Sequence, residues 1–347
     1  MLWMSPACAD DTMHAQFTFD TGSELAQMHT PAKVGSLQRA VQAAGLVADI
    51  NVAGKKVPIV FAESNGLKVL GIDSNGNGKV DNNEMMKVPG EGAITLKMKS
   101  PTDPKNDLAI HFWKVTISRD ANNAVARVSA RYSPAYCYKG TINGTTVRLI
   151  DDNLDGKITQ DGADAIIIGQ GLYAMPLLKT HLIGQLPAEL TVAEDGLSAS
   201  YVKSDLKLAQ VEAPVLKMPS LTCVIMSDKA SGRSIDLVAA KGKVPAGEYQ
   251  LVYGIIGSGK EPIIIQPGKA TPSYSIKDDA INTLRLGPPL RLDFEAKLEG
   301  NAVTASPPLN VEGSGHEVYH YSSGLAQPQV IIAEGKKVLD RGSMEFG

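Results

Sequence analysis

Short runs of alternating apolar and polar residues most limit how this chain folds. The runs 108–118 and 124–132 alternate around a turn sequence at 120–123. Asn143-Gly144, between two further alternating runs, is a strong signal for a two-residue hairpin. Successive residues of a strand point to opposite faces, so this period predicts strands with one buried face. We therefore expect a mainly β chain with a multi-domain, β-sandwich-like architecture and few short helices.

The composition agrees with this expectation and excludes several classes of protein. The 347 residues include 33 Gly and 20 Pro, which favours short strands joined by tight turns. Charged residues make up 20% and the net charge is −3, which argues against a disordered tail or a polybasic nucleic-acid binder. No stretch approaches the roughly 18 consecutive apolar residues of a membrane span, so no transmembrane segment is expected.

Three small domains are expected, at 10–100, 101–212 and 213–347. Within the last, residues 243–249 read Lys-Val-Pro-Ala-Gly-Glu-Tyr. This segment resembles the P-A-G-x-Y turn of transthyretin-like and carboxypeptidase-regulatory domains, which implies a transthyretin- or Ig-like β-sandwich. Segment 36–44 is the best candidate for a helix, since Leu37 and Val41 lie four residues apart and Gly45 follows; a strand is the alternative.

The first nine residues and the cysteines bear on where the protein works. Ala7-Cys8-Ala9 has the small-x-small form of a signal-peptidase site, so residues 1–9 are interpreted as the end of a signal peptide; a frayed N-terminus is the alternative. We expect a protein that is secreted or lies in the periplasm or envelope of a bacterium. Cys137 and Cys223 then either form a disulfide or remain free, buried thiols.

The segment 73–84 carries oxygen-bearing side chains at regular spacing. Positions 1, 3, 5, 9 and 12 supply side-chain oxygens, position 6 is Gly78, and position 7 offers a backbone carbonyl. The expected metal ligands are Asp73, Asn75, Asn77, Lys79, Asp81 and Glu84. Ca²⁺ binds about six to eight oxygens, and a tight loop with alternate residues turned inward supplies them.

The same pattern returns at residue 151, which is 78 residues after residue 73. Its twelfth position is Gly162, so Asp161 or Asp164 must complete the ligand set. The expected ligands are Asp151, Asn153, Asp155, Lys157, Thr159, Asp161 and Asp164. Both segments resemble EF-hand and dockerin-type calcium loops, and each resemblance covers only the loop itself. Because the flanking residues favour strands, we expect calcium loops that join strands without an EF-hand helix pair.

These features predict an exported, non-enzymatic calcium-binding protein with a structural, adhesive or ligand-binding role. Its expected partners are calcium and, beyond that, an envelope or extracellular protein or a glycan. One alternative is a zinc metalloprotease, since His316-Glu317-Val318-Tyr319-His320 matches the H-E-x-x-H motif. That motif needs a helix, whereas Val318 and Tyr319 favour a strand. A carbohydrate-binding module is a further alternative.

Overall fold

The computed structural model describes residues 12–34, 40–43, 46–64, 66–90, 92–101, 103, 105–257, 262–278, 280–299, 302–320, 329–334 and 337–343. The chain is mainly β, with 55% strand and 5% helix, and no described helix reaches seven residues. This confirms the predicted fold class. The expected signal-peptide residues 1–9 lie outside the described residues. No described helix is long and apolar enough to cross a membrane.

The strands follow one another at short intervals along the chain. They are β1 (Met13–Asp20), β2 (Ala40–Ala43), β3 (Val47–Val52), β4 (Lys55–Ser64), β5 (Leu67–Ile72), β6 (Met85–Lys87), β7 (Ile94–Lys99), β8 (Asp107–Arg119), β9 (Val125–Pro134), β10 (Cys137–Ile142), β11 (Thr145–Ile150), β12 (Ala165–Ile168), β13 (Met175–Pro176), β14 (Thr180–Ile183), β15 (Leu186–Val192), β16 (Ser198–Lys203), β17 (Leu208–Glu212), β18 (Leu221–Asp228), β19 (Arg233–Asp236), β20 (Lys243–Pro245), β21 (Gly247–Ile256), β22 (Ile263–Pro267), β23 (Tyr274–Ile276), β24 (Ile281–Thr283), β25 (Arg291–Glu299), β26 (Ala302–Glu312), β27 (Glu317–His320), β28 (Gln329–Glu334) and β29 (Lys337–Ser343). The described helices are α1 (Pro31–Val34) and the 3₁₀ turns Ser23–Gln27, Asn82–Glu84 and Pro214–Lys217.

Two four-stranded sheets enclose the first hydrophobic cluster, which we call cluster 1. Their strand orders are β3-β4-β5-β6 and β2-β9-β8-β7. Ile59 and Phe61 of β4 share the cluster with Ile110 and Phe112 of β8. In each strand these two residues stand two apart and lie on one face, so the alternation of the sequence becomes a buried face. The hairpin predicted between 108–118 and 124–132 is confirmed as β8-β9.

A separate long sheet combines β1 with strands from the middle and C-terminal parts of the chain. Its order is β13-β12-β11-β10-β1-β16-β15-β14-β19-β18-β21-β22-β27-β26-β25. Strand β18 is buried on both faces: Cys223 and Ile225 belong to cluster 2, which β1, β10 and β11 share. Val224 and Met226 belong to cluster 3, farther along the chain. Cys137 and Cys223 are both buried and form no disulfide with each other.

The hydrophobic clusters cross the domain boundaries expected from sequence. Cluster 1 contains residues from Val41 to Leu154, so it includes residues on both sides of the 100/101 boundary. Cluster 2 contains Ala15 as well as Ile255. The division at 100/101 and 212/213, and the transthyretin- or Ig-like sandwich in the last segment, stay predictions. Within that segment the Tyr249 hydroxyl donates to the carbonyl of Pro245 at 3.1 Å, which holds the turn between β20 and β21.

The helix expected at 36–44 is wrong for the residues that the structure describes there. Residues 40–43 form β2, which pairs with β9 and sets Val41 opposite Ala130. Residues 35–39 and 44–45 lie outside the described residues. A helix this short is marginal on its own, whereas pairing with β9 buries Val41 in cluster 1. Tertiary pairing therefore outweighs the local helical spacing.

Candidate calcium loops

The first acidic loop connects β5 to β6, two adjacent antiparallel strands. Asp73 follows the buried end of β5 and is itself buried. Its Oδ1 accepts the N–H groups of Gly76 at 2.8 Å and Asn77 at 3.1 Å. Its Oδ2 accepts the N–H of Gly78 at 2.8 Å. Gly78 has a φ of 83°, a left-handed conformation that glycine adopts at little cost. One carboxylate thus holds the bend of the loop.

Glu84 closes this loop from its other end. Its Oε1 accepts the N–H of Ser74 at 2.9 Å and that of Asn75 at 3.1 Å. Its Oε2 accepts the N–H of Asp81 at 2.8 Å. Burial by itself raises the pKa of Glu84, but these bonds and the Ser74 hydroxyl outweigh it, so the net shift is downward. The carboxylate joins the second and ninth positions of the loop.

The second loop connects β11 to β12 and has the same frame at its start. Asp151 Oδ1 accepts the N–H of Asp155 at 3.0 Å, and Oδ2 accepts that of Gly156 at 2.9 Å. Gly156 has a φ of 85°, close to that of Gly78. The hydroxyl of Tyr136, a residue that the sequence did not point to, also donates to Asp151 Oδ2 at 2.9 Å. The first position is therefore held in the same way in both loops.

Asp164 occupies in the second loop the place that Glu84 has in the first. Its Oδ1 accepts the N–H of Asp152 at 3.1 Å, and its Oδ2 accepts that of Thr159 at 2.6 Å. These donors are again the second and ninth positions. Asp164 stands thirteen residues after Asp151, whereas Glu84 stands eleven after Asp73. The two added residues allow the aspartate, whose side chain is shorter than that of a glutamate, to reach the N–H groups of positions 2 and 9.

Asp161, the other candidate, is exposed and does not close the loop. Its Oδ1 accepts the N–H of Ala163 at 2.9 Å and the hydroxyl of Thr159 at 3.0 Å. It therefore holds a local turn. The pKa of Asp161 is lowered, chiefly by the hydrogen bond from Ala163.

The middle positions of the loops also match. In both loops the side-chain oxygen of position 3 accepts the N–H of position 5, and that of position 5 accepts the N–H of position 7. The pairs are Asn75–Asn77 at 2.9 Å, Asn77–Lys79 at 2.9 Å, Asn153–Asp155 at 2.8 Å and Asp155–Lys157 at 2.9 Å. Both lysines at position 7 are exposed, and Lys157 Nζ lies 2.9 Å from Glu194 Oε2. Each lysine keeps its charge outside the loop.

The second loop buries two carboxylates, Asp151 and Asp164, close to each other. Asp151 is 3% exposed and Asp164 is 1% exposed. Burial raises the pKa of Asp151 to about 6. Burial and the nearby Asp151 raise the pKa of Asp164 to about 7. Neither residue forms an ion pair with a lysine or arginine in the described part of the chain. A bound cation would remove this electrostatic cost.

The carboxylates do not yet converge on one point. Among the described residues, no three His, Cys, Asp or Glu side chains gather closely enough to hold a metal ion. In both loops, backbone N–H groups hold the carboxylate oxygens. In each of the four carboxylates one oxygen already accepts two or more donors, whereas the other, Asp73 Oδ2, Glu84 Oε2, Asp151 Oδ1 or Asp164 Oδ1, accepts a single N–H. A carboxylate oxygen has two lone pairs, so this second oxygen keeps one for a cation. The backbone frame is therefore formed, whereas the side chains must turn inward to bind calcium.

Two apolar positions of the second loop were not predicted as functional. Leu154 is buried in cluster 1, and Ile158 is buried in cluster 2. The carbonyl of Leu154 accepts the N–H of Ala53, from the turn between β3 and β4, at 2.7 Å. The signal in the sequence is an apolar residue at position 4, where the first loop has Gly76. The second loop thus joins two cores.

Asp152 is a further buried carboxylate that the pattern did not single out, since it stands at position 2. The hydroxyl of Thr30 donates to its Oδ1 at 2.5 Å. Burial lowers the pKa of Lys33 to about 8, and Asp152 partly offsets this effect. The second loop is therefore also bonded to the α1 region.

The H-E-x-x-H segment has the wrong backbone for a zinc protease. Glu317–His320 is strand β27, and His316 before it has a φ of 61°. The carboxylate of Glu317 is fully buried and accepts hydrogen bonds from two backbone N–H groups and a tyrosine hydroxyl. Zinc proteases need both histidines on one helical face and a glutamate that reaches water. This segment provides neither.

Comparison with known proteins adds no family to these observations. No protein-family model, curated protein or solved structure matches the chain. Its function is therefore inferred from its own residues and their geometry.

Proposed function

We propose that this chain is an exported calcium-binding protein in which two loops pin a β framework, and that its role is structural, adhesive or ligand-binding without catalysis. The observation that carries the proposal is the repeated frame. Asp73 and Asp151 hold the bend of each loop through the glycine at position 6. Glu84 and Asp164 close each loop through positions 2 and 9.

The equivalent contacts of the two closing carboxylates, Glu84 and Asp164, support this proposal more strongly than the sequence pattern does. The loops differ in length and in the closing residue, yet the closing carboxylates meet equivalent backbone groups. A plain turn does not require a carboxylate at this point. Calcium prefers carboxylate, amide and carbonyl oxygens, and these are what the repeated positions supply.

The charge of the second loop supports the same proposal. Asp151 and Asp164 lie buried near each other, and each raised pKa reflects the cost of ionising there. A divalent cation lowers that cost by attracting both carboxylates. Calcium would bind through Asp151, Asn153, Asp155, Thr159 and Asp164 with the carbonyl of Lys157. Asp161 does not belong to this set, because its carboxylate holds a separate turn.

The position of the second loop supports a structural role for calcium. Its apolar residues enter clusters 1 and 2, so fixing the loop fixes the junction between them. Neither loop has a flanking helix pair that could open on binding, which argues against a calcium sensor. Calcium at extracellular concentration fills loops of modest affinity, with Kd on the order of 10⁻⁴–10⁻³ M, which is consistent with an exported protein. Envelope or extracellular proteins and glycans are the partner classes proposed for it.

The proposal is tested by thermal unfolding of the purified chain in millimolar calcium, in millimolar magnesium and in chelator. Calcium is expected to raise the Tm by several degrees more than magnesium does. The variant Asp73→Asn with Asp151→Asn is expected to lose this difference, while Asp120→Asn, in the β8-β9 turn, keeps it. A Tm that is the same in calcium and chelator contradicts the proposal.

A further inference from the structure

A cavity of about 460 Å³ lies between the C-terminal loops, and its lining residues belong to neither acidic loop. Residues 283–291 form one side and residues 312–316 form the other. Arg285, Arg291, Glu312 and His316 bring charged or titratable side chains to the lining, whereas Pro214 and Pro289 contribute nonpolar surface. Cavities of about 300–1,000 Å³ with a nonpolar wall and a few polar groups are typical of small-molecule sites.

The buried Glu317 fixes the two loops relative to each other. Its Oε1 accepts the N–H of Gly287 at 2.6 Å, and its Oε2 accepts that of Gly315 at 3.0 Å. The hydroxyl of Tyr319 also donates to Oε1, at 3.0 Å. The N–H of Ser314 donates to the carbonyl of Gly287 at 2.8 Å. One carboxylate thus joins both sides of the cavity, and this is the role of the glutamate in the H-E-x-x-H segment.

Close packing of glycines makes this arrangement specific. A Cβ on Gly313 would clash with the Glu317 carboxylate, and one on Gly315 would clash with the carbonyl of Arg285. The loops therefore approach more closely than any larger residue allows. The cavity is held open by a rigid frame, and a preformed site loses little conformational entropy when a ligand binds.

Two residues of the cavity wall carry a buried unpaired polar atom or a left-handed backbone. Ser314 Oγ is shielded from solvent and has no hydrogen-bond partner among the described residues. His316 has a left-handed backbone, which its N–H holds by donating to the carbonyl of Gly313 at 3.1 Å. The carbonyl of His316 accepts the hydroxyl of Thr271 at 2.8 Å. Residues in sparsely populated backbone conformations are concentrated at active sites and ligand-binding sites.

We propose that this cavity binds a small organic anion, with a carboxylate on Arg285 and Arg291 and a nonpolar body against Pro214 and Pro289. Guanidinium groups bind carboxylates through paired hydrogen bonds, and they stay charged at all physiological pH values. Glu312 Oε2 lies 3.7 Å from His316 Nδ1, so this carboxylate faces the imidazole. The proposal stands independently of calcium binding.

The test uses three probes of similar shape: benzoate, neutral benzamide and the benzamidinium cation. Amide chemical shifts of the ¹⁵N-labelled full chain are followed during each titration. Benzoate is expected to shift the amides of residues 313–316 with a Kd in the millimolar range, at least tenfold more tightly than benzamide, and benzamidinium is expected to cause no saturable shift.

The variant Arg285→Ala with Arg291→Ala is expected to weaken benzoate binding at least tenfold. Arg119→Ala serves as the control, because Arg119 pairs with Glu63 on a different sheet. Binding of benzoate that is unaffected by the double substitution, equal binding of all three probes, or no binding of benzoate would each overturn the proposal.

Discussion

Leu154 and Ile158 stand four residues apart in one loop and are buried in two different hydrophobic clusters. Leu154 reaches the sandwich formed by β2–β9, and Ile158 reaches the cluster shared by β1, β10 and β11. Between them lie Asp155 and Gly156, whose N–H groups bond to Asp151. The conformation in which Asp151 holds the bend of the loop is thus also the one that buries both apolar side chains.

Truncation of Leu154 tests the junction between the clusters. Leu154→Ala removes a side chain that is 2% exposed, and we expect the free energy of unfolding to fall by about 2–5 kcal/mol. The matched control is Leu197→Ala, at a position that is 43% exposed, with an expected loss below about 0.5 kcal/mol. Denaturant titration measures both, and equal losses would show that the loop does not join the two cores.

The closing carboxylate of the second loop is tested by two substitutions in the same loop. Asp164→Asn should reduce the calcium stoichiometry of the chain from about two to about one, because calcium needs the charge at this position. Asp161→Asn should leave it unchanged, since Asp161 holds a local turn. Equilibrium dialysis at controlled free calcium gives the stoichiometry. If Asp161→Asn removes a calcium and Asp164→Asn does not, the assignment of position 12 is wrong.

Calcium is expected to stabilise the protein more at higher pH. Asp151 and Asp164 have raised pKa values of about 6 and about 7, so the calcium-free fold loses stability as the pH rises from about 4 through 7. Under the calcium proposal, a bound ion relieves this loss and competes with protons for the same oxygens. The calcium-induced rise in Tm should therefore be larger at pH 8 than at pH 5. An equal rise at both pH values would count against a carboxylate-based site.

Much of the fold follows from the sequence because strand alternation and turn residues are local signals. Asn143-Gly144 predicts the β10-β11 hairpin, and the structure has left-handed φ values of 47° and 72° at these two residues. The helix expected around Val41 is wrong because its pairing with β9 is a long-range contact that no local pattern reveals.

The candidate sites also have features that the local sequence reveals and features that depend on long-range contacts. The spacing of Asp73 and Asp151 is visible in the sequence, and so is the weak twelfth position of the second loop. The choice of Asp164 over Asp161 is not visible, because it depends on how the chain folds back to the N–H groups of positions 2 and 9. The cavity near Arg285 likewise depends on loops that meet only in the folded chain.

A buried histidine predicts loss of stability in acid. His181 is 1% exposed, and burial lowers its pKa to about 4. Protonation then favours the unfolded chain, so stability present above about pH 6.5 is lost as the pH falls through 4, by up to roughly 3 kcal/mol. His181→Gln should flatten this part of the profile of unfolding free energy against pH. A profile that keeps its slope in the His181→Gln variant would contradict the assignment.

The most direct test of the calcium proposal is a calorimetric titration of the chelator-treated full chain with calcium. Two sites per chain with Kd values at or below about 10⁻³ M are predicted. Asp73→Asn and Asp151→Asn should each remove one site. Absence of any binding heat up to several millimolar calcium, together with an unchanged Tm, would contradict it.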